Sequence, residues 1–219
     1  MSGERSVLGI DVYSDVICPW CYVGKRRLER ALKQVGDKVN AEVTWRPFQL
    51  NPTMPQQGMN RTVYLETKFG NLQVFQDMEA HLLEAGRGEQ ISFAFGKIDR
   101  TPNTFLAHRL IWYARTQGRQ DGVVNQLFHG YFEEGLDIGS VSVLIEVSDR
   151  AGLNAERFLK SEEGTAEVKA EESVGRRLGI SGVPYFVIEN TYAISGAQPV
   201  DVFLGGIEKV RLGLAAADS

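Results

Sequence analysis

Two cysteines separated by two residues stand where a strand pattern gives way to a helix pattern, and this feature constrains the fold most strongly. Residues 7–13, VLGIDVY, are apolar and β-branched enough for a buried strand. After the cysteines, apolar residues recur at helical spacing with charged residues on the other faces, until Gly36 provides a helix end. We therefore expect a strand, a turn that carries Cys18 and Cys21, and a helix.

Cys18 is the candidate nucleophile of this segment. A cysteine in the first turn of a helix faces unpaired backbone N–H groups and the positive end of the helix dipole, which favour thiolate over thiol. Cys21 lies about one turn further along the helix, within the Cα separation that a disulfide tolerates. Pro19 suits the first helical position because its missing N–H costs little there. Trp20 is expected near the surface, as an apolar platform beside the reactive sulfur.

Two other interpretations of the pair are ordinary buried thiols and half of a zinc site. A closed zinc site needs four ligands, and the remaining candidates, His81, His108 and His129, show no ligand-type spacing. A Cys-x-x-Cys pair that follows a strand and opens a helix is instead typical of thioredoxin-like redox sites. We therefore expect redox chemistry and no metal.

Charge and hydrophobicity limit the class of protein. The 219 residues are 43% hydrophobic, which suffices for a sizeable core. A formal net charge of −4 with scattered Lys and Arg argues against a nucleic-acid partner. Residues 1–6 are polar and do not resemble a signal peptide, and no run approaches the roughly 20 apolar residues of a membrane span. We expect a cytoplasmic protein without a membrane partner, where two cysteines indicate a catalytic or sensing disulfide.

Helix signals dominate the middle of the chain. A second strand is predicted over residues 41–46, and residues 47–58 that follow are loop-like and carry three prolines. Six helices are predicted there. In chain order their starts are at Asn60, Asn71, Thr101 with Pro102, Gly122, Ser140, and either Asn154 or Gly164. Their ends, in the same order, are at Gly70, Gly86, Gln117, Glu134, Ala151 and Leu178. Residues 185–188 and 192–194 then predict a hairpin, and a last helix starts near Pro199.

Three segments occur in the expected order over essentially the whole chain: residues 14–24, SDVICPWCYVG, residues 100–109, RTPNTFLAHR, and residues 179–186, GISGVPYF. Together they resemble the DsbA family of thiol–disulfide oxidoreductases, and in particular its cytoplasmic FrnE-like group. The resemblance implies an α/β, thioredoxin-like fold with an inserted all-helical domain. The expected thioredoxin-like domain comprises residues 1–55 and 162–219, and the expected helical insertion comprises residues 56–161.

The resemblance also implies a second site element at Val183 and Pro184. It places a cis peptide bond before Pro184 and sets this proline against the Cys18 sulfur. Proline has no N–H, and the backbone of Val183 would stay free to pair with an extended substrate or with glutathione. Taken by itself, Pro184 could be a turn proline before a strand, and the resemblance favours the role in the site.

Other polar residues near these segments are weaker candidates. His108 is interpreted as a partly exposed surface or packing histidine, because nothing in the sequence orients a carboxylate toward it. Asn103 could simply help to cap a helix. Asp11 and Asp15 lie near the cysteines and would raise the pKa of a nearby thiol by like-charge repulsion, in opposition to the helix dipole.

The predicted activity is thiol–disulfide exchange in which Cys18 forms a mixed disulfide and Cys21 resolves it. The expected partners are protein or low-molecular-weight thiols and disulfides, with glutathione as one candidate, and the redox-active disulfide takes the place of a cofactor. Trp20 lacks the cationic capacity that a histidine would bring to its position, which removes one source of thiolate stabilisation.

Two alternative functions remain open. One is a glutathione-dependent isomerase or transferase, similar to 2-hydroxychromene-2-carboxylate isomerase and the kappa-class glutathione transferases. In those relatives a serine occupies the position of Cys18. They are also expected to have an acidic residue that binds the glutathione amino group, and residues 195–198 of this chain, SGAQ, lack one. Asn51 is compatible with either class. The other is a non-catalytic redox-sensing module, which would oxidise stoichiometrically without turnover.

Overall fold

The computed structural model describes residues 7–70 and 72–217. Its strands are β1 Val7–Ser14, β2 Asn40–Pro47, β3 Met59–Asn60, β4 Arg100–Thr101, β5 Tyr185–Ile188 and β6 Tyr192–Ser195. Its α-helices are α1 Pro19–Val35, α2 Arg61–Phe69, α3 Leu72–Gly88, α4 Phe105–Thr116, α5 Gln120–His129, α6 Val141–Arg150, α7 Glu156–Leu159, α8 Thr165–Arg177 and α9 Val200–Ala217.

A four-stranded mixed sheet in the order β2-β1-β5-β6 organises the fold. β1 runs parallel to β2, which requires a crossover, and α1 provides it. β5 lies antiparallel to β1 on its other side, with Tyr13 opposite Tyr185. Because the register sets the last residues of β1 beside the first residues of β5, the segment that follows β1 and the segment that precedes β5 meet at one edge of the sheet.

Helices cover the sheet and bury its apolar side chains. On α1, the stripe that includes Val23, Leu28 and Ala31 is buried, as its helical spacing predicts. On the antiparallel side, Phe186 of β5 meets Phe203 of α9 edge-on, with ring centroids 4.8 Å apart. α9 also packs against α1 and so connects α1 with the β5–β6 hairpin. Cys18 directly precedes α1, and Pro184 directly precedes β5.

Most predicted elements occur where the sequence places them. Gly36 and Gly70 end α1 and α2 with φ of 59° and 81°, and the Asn60 side chain accepts the Val63 N–H at 3.2 Å as an N-cap. The fold prediction, a thioredoxin-like sheet with a helix-rich middle, is confirmed. That middle also contains a short β3–β4 ladder, and the domain boundaries stay a prediction.

The predicted helix start at Thr101 is wrong. Thr101 belongs to β4 and pairs with Met59, and α4 begins only at Phe105. Asn103 accepts the Phe105 N–H through its side chain at 2.9 Å, which supports the first turn of the helix. A local capping signal at Thr101 and Pro102 was thus overridden by pairing with a distant strand.

Smaller departures concern helix lengths. α3 continues to Gly88, past the predicted end at Gly86. The helix predicted to run to Glu134 divides into α5 and a π-helical turn, Gly130–Glu134. Both alternative starts near Asn154 and Gly164 are used, by α7 and α8 respectively.

The predicted cap at Asn71 and the polar residues 1–6 lie outside the described residues. Across residues 7–70 and 72–217, none of the helices combines the length and the apolar character that crossing a membrane requires.

Candidate active site

The two cysteines lie at the N-terminus of α1 as free thiols. Cys18 is the N-cap residue and Pro19 the first residue of the helix, as expected. The Cys18 N–H donates to the carbonyl of Asp15 at 3.0 Å, which closes the turn after β1. Cys18 is 6% exposed and Cys21 is fully buried, so Cys18 is the more accessible of the two thiols.

The Cys18 sulfur faces the second predicted site element. Its thiol donates to the carbonyl oxygen of Val183 at 3.5 Å rather than capping its own helix. The peptide bond between Val183 and Pro184 is cis, as the resemblance implied. Pro184 is buried, and its carbonyl accepts the Gly196 N–H at 2.9 Å. The structure therefore brings Cys18, Val183 and Pro184 together at the edge of the sheet where β1 ends and β5 begins.

Cys21 has a very different environment. Burial raises the pKa of its thiol well above the ordinary value, and a hydrogen bond with Cys18 raises it further. The Ser14 hydroxyl and the Asp15 backbone N–H act against these effects by favouring the thiolate. Cys21 is thus held as a protonated, water-excluded thiol directly behind the more accessible Cys18.

This raised pKa predicts a loss of stability at alkaline pH. The folded protein retains the Cys21 proton to higher pH than the unfolded chain, so the free energy of unfolding of the reduced protein should fall above about pH 8.5. Tyr22 and Tyr131, whose pKa values burial raises to about 12, act in the same direction above about pH 10. Chemical denaturation under reducing conditions should show a shallower decline in Cys21→Ala between these pH values. Identical pH profiles would contradict the prediction.

α1 approaches the Pro184 loop closely at Gly24. A Cβ atom at this position would lie 3.0 Å from Pro184 Cγ and 3.1 Å from Phe186 Cζ. On the same side of α1, the Arg27 guanidinium donates to the Ala197 carbonyl at 2.5 Å. Gly24 and Arg27 together set the distance between the cysteine helix and the loop that contains Pro184.

Gly24→Ala tests this close approach, with Gly205→Ala as its matched control. Both glycines lie inside helices, but a Cβ at the exposed Gly205 meets no atom within 4 Å. Gly205→Ala should raise the free energy of unfolding by about 0.5–1 kcal/mol, since alanine favours helices. Gly24→Ala should instead lower it by about 1–3 kcal/mol through crowding, and should slow disulfide exchange. Equal stabilisation by both substitutions in denaturant titrations would refute the role of Gly24.

Trp20 is half-buried against the core and remains near the surface, as expected. Asn51 is engaged by the protein itself, because its side-chain amide donates to the Tyr64 hydroxyl at 3.0 Å. Asp11 turns to Arg46, with 2.8 Å between its Oδ1 and the guanidinium Nε. The Asp15 carboxylate accepts the Leu50 N–H at 2.7 Å, and Asp15 contacts the cysteines through its backbone. No group of His, Cys, Asp and Glu residues that could hold a metal ion occurs among the described residues.

The sequence interpretation missed a buried polar pair at the site. His108 is only 2% exposed, and its Nε2 lies 3.5 Å from Oδ1 of the fully buried Asp15. The interpretation of His108 as a partly exposed surface or packing histidine is therefore wrong about its exposure, and the structure supplies a carboxylate that the sequence could not place. Thr104 and Ile111, four residues before and three residues after His108, are also buried. This helical spacing could have placed His108 on the inner face of α4.

Comparisons with known families concern the fold of the chain as a whole. A profile of the family described as DSBA-like thioredoxin domain matches residues 9–208. The crystal structure of a probable DsbA oxidoreductase from Streptomyces coelicolor is 32% identical and superposes with a TM-score of 0.84. That similarity covers 92% of this chain and 89% of the Streptomyces chain.

More distant solved structures share the fold. A 2-hydroxychromene-2-carboxylate isomerase superposes with a TM-score of 0.69 at 17% identity, over 96% of this chain and 98% of the isomerase. The cytosolic disulfide reductase DsbM from Pseudomonas aeruginosa, in a structure with GSH, superposes with a TM-score of 0.64 at 18% identity, over 92% and 98% of the two chains. At such identities the similarity establishes the fold alone.

Proposed function

Because the chain belongs to the family of DsbA-like thioredoxin domains, we propose that it is a thiol–disulfide oxidoreductase that uses Cys18 and Cys21 as its redox pair. One observation carries the proposal: the Cys18 thiol lies 3.5 Å from the Val183 carbonyl oxygen, next to the cis-Pro184 bond, with Cys21 buried behind it. This arrangement brings three groups together. They are the more accessible sulfur of Cys18, the Cys21 sulfur that can form a disulfide with it, and the Val183 carbonyl that can accept a hydrogen bond from a substrate.

The reaction proceeds in two exchanges. The Cys18 thiolate attacks one sulfur of a substrate disulfide, and the other substrate sulfur leaves with the electron pair as a thiolate that takes up a proton. Cys21 then attacks Cys18 in this mixed disulfide, loses its proton and expels the second substrate sulfur. The substrate disulfide is reduced by two electrons while the Cys18–Cys21 disulfide forms, and the reverse sequence oxidises a dithiol.

Burial assigns the two roles. Cys18 keeps 6% of its surface exposed at the N-terminal end of a helix, where the dipole stabilises the developing negative charge. Cys21 is fully buried with a raised pKa, so it is a poor nucleophile toward an external disulfide. It becomes reactive only when Cys18, one helical turn away, presents an electrophilic sulfur.

Val183 supplies the substrate-binding edge. In the reduced protein its carbonyl oxygen accepts the Cys18 thiol. Once Cys18 is in a mixed disulfide it has no S–H to donate, and the Val183 carbonyl is free to accept a backbone N–H of an extended substrate. Substrate binding at Val183 is therefore coupled to formation of the mixed disulfide. The half-buried Pro19 and Trp20 and the buried Pro184 are the other residues of the proposed substrate site.

The proposed partners are protein or low-molecular-weight thiols and disulfides, with glutathione as the candidate reductant in the cytoplasm. The likeness in fold to a cytosolic disulfide reductase solved with GSH supports this choice. A glutathione-dependent isomerase is less well supported, because a cysteine stands at position 18 and a second cysteine at position 21. Membership of the FrnE-like group stays a prediction.

Turnover at substoichiometric enzyme concentration tests the proposal. Wild-type protein is mixed with glutathione and an excess of a fluorogenic peptide disulfide, and the product thiol is followed over time. We expect many equivalents of peptide to be reduced per protein molecule. Release of a single equivalent would instead identify a redox-sensing module. No release above the glutathione background would reject thiol–disulfide exchange as the function.

A further inference from the structure

Arg27 of α1 joins two distant parts of the chain through one guanidinium group. Its Nε donates to Oε1 of Glu89 at 3.0 Å, and a terminal nitrogen of the same group donates to the Ala197 carbonyl at 2.5 Å. Glu89 directly follows α3, in the segment predicted as the helical insertion, whereas Ala197 lies between β6 and α9. Because the guanidinium is planar and rigid, a bond to one of its nitrogens also sets the direction of the others.

Glu89 is held firmly enough to orient this guanidinium. Its side chain is only 5% exposed, and its second carboxylate oxygen accepts an N–H of Arg30 at 2.8 Å. Its backbone N–H donates to the Gly86 carbonyl at 2.9 Å, which fixes the chain at the end of α3. Ion pairs that are partly buried are screened less by salt than pairs on the open surface. Glu89 is therefore a fixed partner of Arg27 and not a solvated surface charge.

The loop that Arg27 holds is bonded directly to the candidate site. Gly196, the residue before Ala197, donates its N–H to the Pro184 carbonyl at 2.9 Å. The carbonyl one residue earlier, that of Val183, accepts the Cys18 thiol at 3.5 Å. Two consecutive carbonyls thus have different partners, one in the loop and one at the reactive sulfur. A shift of the loop would therefore move the Val183 carbonyl relative to Cys18.

We propose that Arg27 and Glu89 are positioning residues for the substrate. Arg27 holds the Val183 carbonyl in place through the loop that contains Ala197, and Glu89 acts through Arg27. This inference rests on the proposed function, in which an extended substrate donates a backbone N–H to Val183. It gives the end of α3 a part in substrate binding, since the contacts run from Glu89 through Arg27 to the loop beside the cis peptide bond.

This role predicts a defect that depends on the substrate. A peptide disulfide presents a backbone N–H to the Val183 carbonyl, and its exchange benefits from the position of that carbonyl. Dithiodipyridine is an uncharged aromatic disulfide without a peptide backbone, so its exchange depends on Cys18 alone. Loss of the positioning contacts should slow exchange with the peptide and leave exchange with dithiodipyridine unchanged. A general disturbance of the cysteine helix would alter both reactions.

The experiment measures the second-order rate constant of the first thiol release when reduced protein meets an excess of either disulfide. Arg27→Met removes the guanidinium and keeps an apolar stem. It should lower the constant for the peptide by roughly 3- to 10-fold, the range expected for one misplaced hydrogen bond. Glu89→Gln should cause a smaller defect of the same kind, because a neutral amide holds the guanidinium less strongly than a carboxylate does. The double variant should be no slower than Arg27→Met, since Glu89 acts through Arg27.

Arg30→Met is the matched control. Arg30 lies on the same helix and donates to the same carboxylate at 2.8 Å, but within residues 7–70 and 72–217 it makes no hydrogen bond to the loop of Ala197. This variant should leave both rate constants unchanged. Arg27→Lys keeps the positive charge, but one ammonium group does not reproduce the rigid fork of a guanidinium. It should retain the peptide-selective defect, and it carries the test if Arg27→Met fails to fold by circular dichroism.

The possible outcomes separate the two proposals. If wild-type protein releases thiol from neither disulfide, the proposed function fails and the positioning role fails with it. If wild-type protein reacts with both and the Arg27 variants slow both equally or neither, the positioning role is refuted and the function stands. An equal peptide-selective defect in Arg30→Met would also refute it, because the effect would then arise from pairing between α1 and Glu89 and not from the loop.

Discussion

Replacing Cys18 by serine should reduce disulfide exchange to the uncatalysed rate. A serine hydroxyl cannot form the mixed disulfide on which both exchanges depend, and Cys21 is too buried to substitute for Cys18. The fold should tolerate the change, since a hydroxyl can donate to the Val183 carbonyl as the thiol does. The measurement is steady-state reduction of a peptide disulfide by glutathione, with far-UV circular dichroism to confirm that the variant is folded.

This variant also separates the leading function from its main alternative. In the glutathione-dependent isomerases and transferases considered from the sequence, a serine at this position is expected to support activity. A folded Cys18→Ser protein that keeps or gains glutathione-dependent isomerase activity would therefore favour that class. Retained disulfide exchange in the same variant would show that Cys18 is not the nucleophile.

Replacing Cys21 by serine should block resolution while leaving the first attack intact. Incubation with oxidised glutathione should then convert most of the protein into a mixed disulfide on Cys18, because no internal thiol remains to release it. Wild-type protein under the same conditions should accumulate the Cys18–Cys21 disulfide and little adduct. Intact-protein mass spectrometry distinguishes the two products by mass, and peptide mapping places the adduct.

The matched control is Cys18→Ser under the same incubation. Its remaining thiol, Cys21, has no exposed surface and should acquire no glutathione until the protein is unfolded. Full multiple turnover by Cys21→Ser would contradict the two-cysteine mechanism and indicate a monothiol reaction in which glutathione itself resolves the adduct. Rapid modification of Cys21 in folded Cys18→Ser would contradict the roles that burial assigns to the two thiols.

Much of the fold could be predicted from the sequence because its signals are local. The strand before the cysteines, the helix after them and the glycine that ends this helix lie within 30 consecutive residues, and each has its own pattern. The same holds for α2, between its Asn60 cap and Gly70, and for the β5–β6 hairpin. The positions of Cys18 and Cys21 at a helix N-terminus follow from these local patterns alone.

Pairing between distant segments could not be predicted in this way. Thr101 followed by Pro102 is a good helix start by local criteria, yet pairing with Met59 places Thr101 in a strand. The approach of Pro184 to Cys18 was expected only through the family resemblance, since no local pattern in either segment indicates the other. Their contact depends on the register between β1 and β5 and on the packing of α1 at Gly24.

The sequence by itself determined the spacing of the two cysteines, their place at the start of a helix and the general order of strands and helices. Tertiary structure alone decided that His108 faces Asp15, that Asp11 turns to Arg46 and that Cys21 is fully buried behind Cys18. The physical reason is that helix and strand patterns are set by neighbouring residues. Burial, by contrast, arises only when α4 and the four-stranded sheet enclose the turn between β1 and α1. The pKa shifts and the ion pairs depend on that burial.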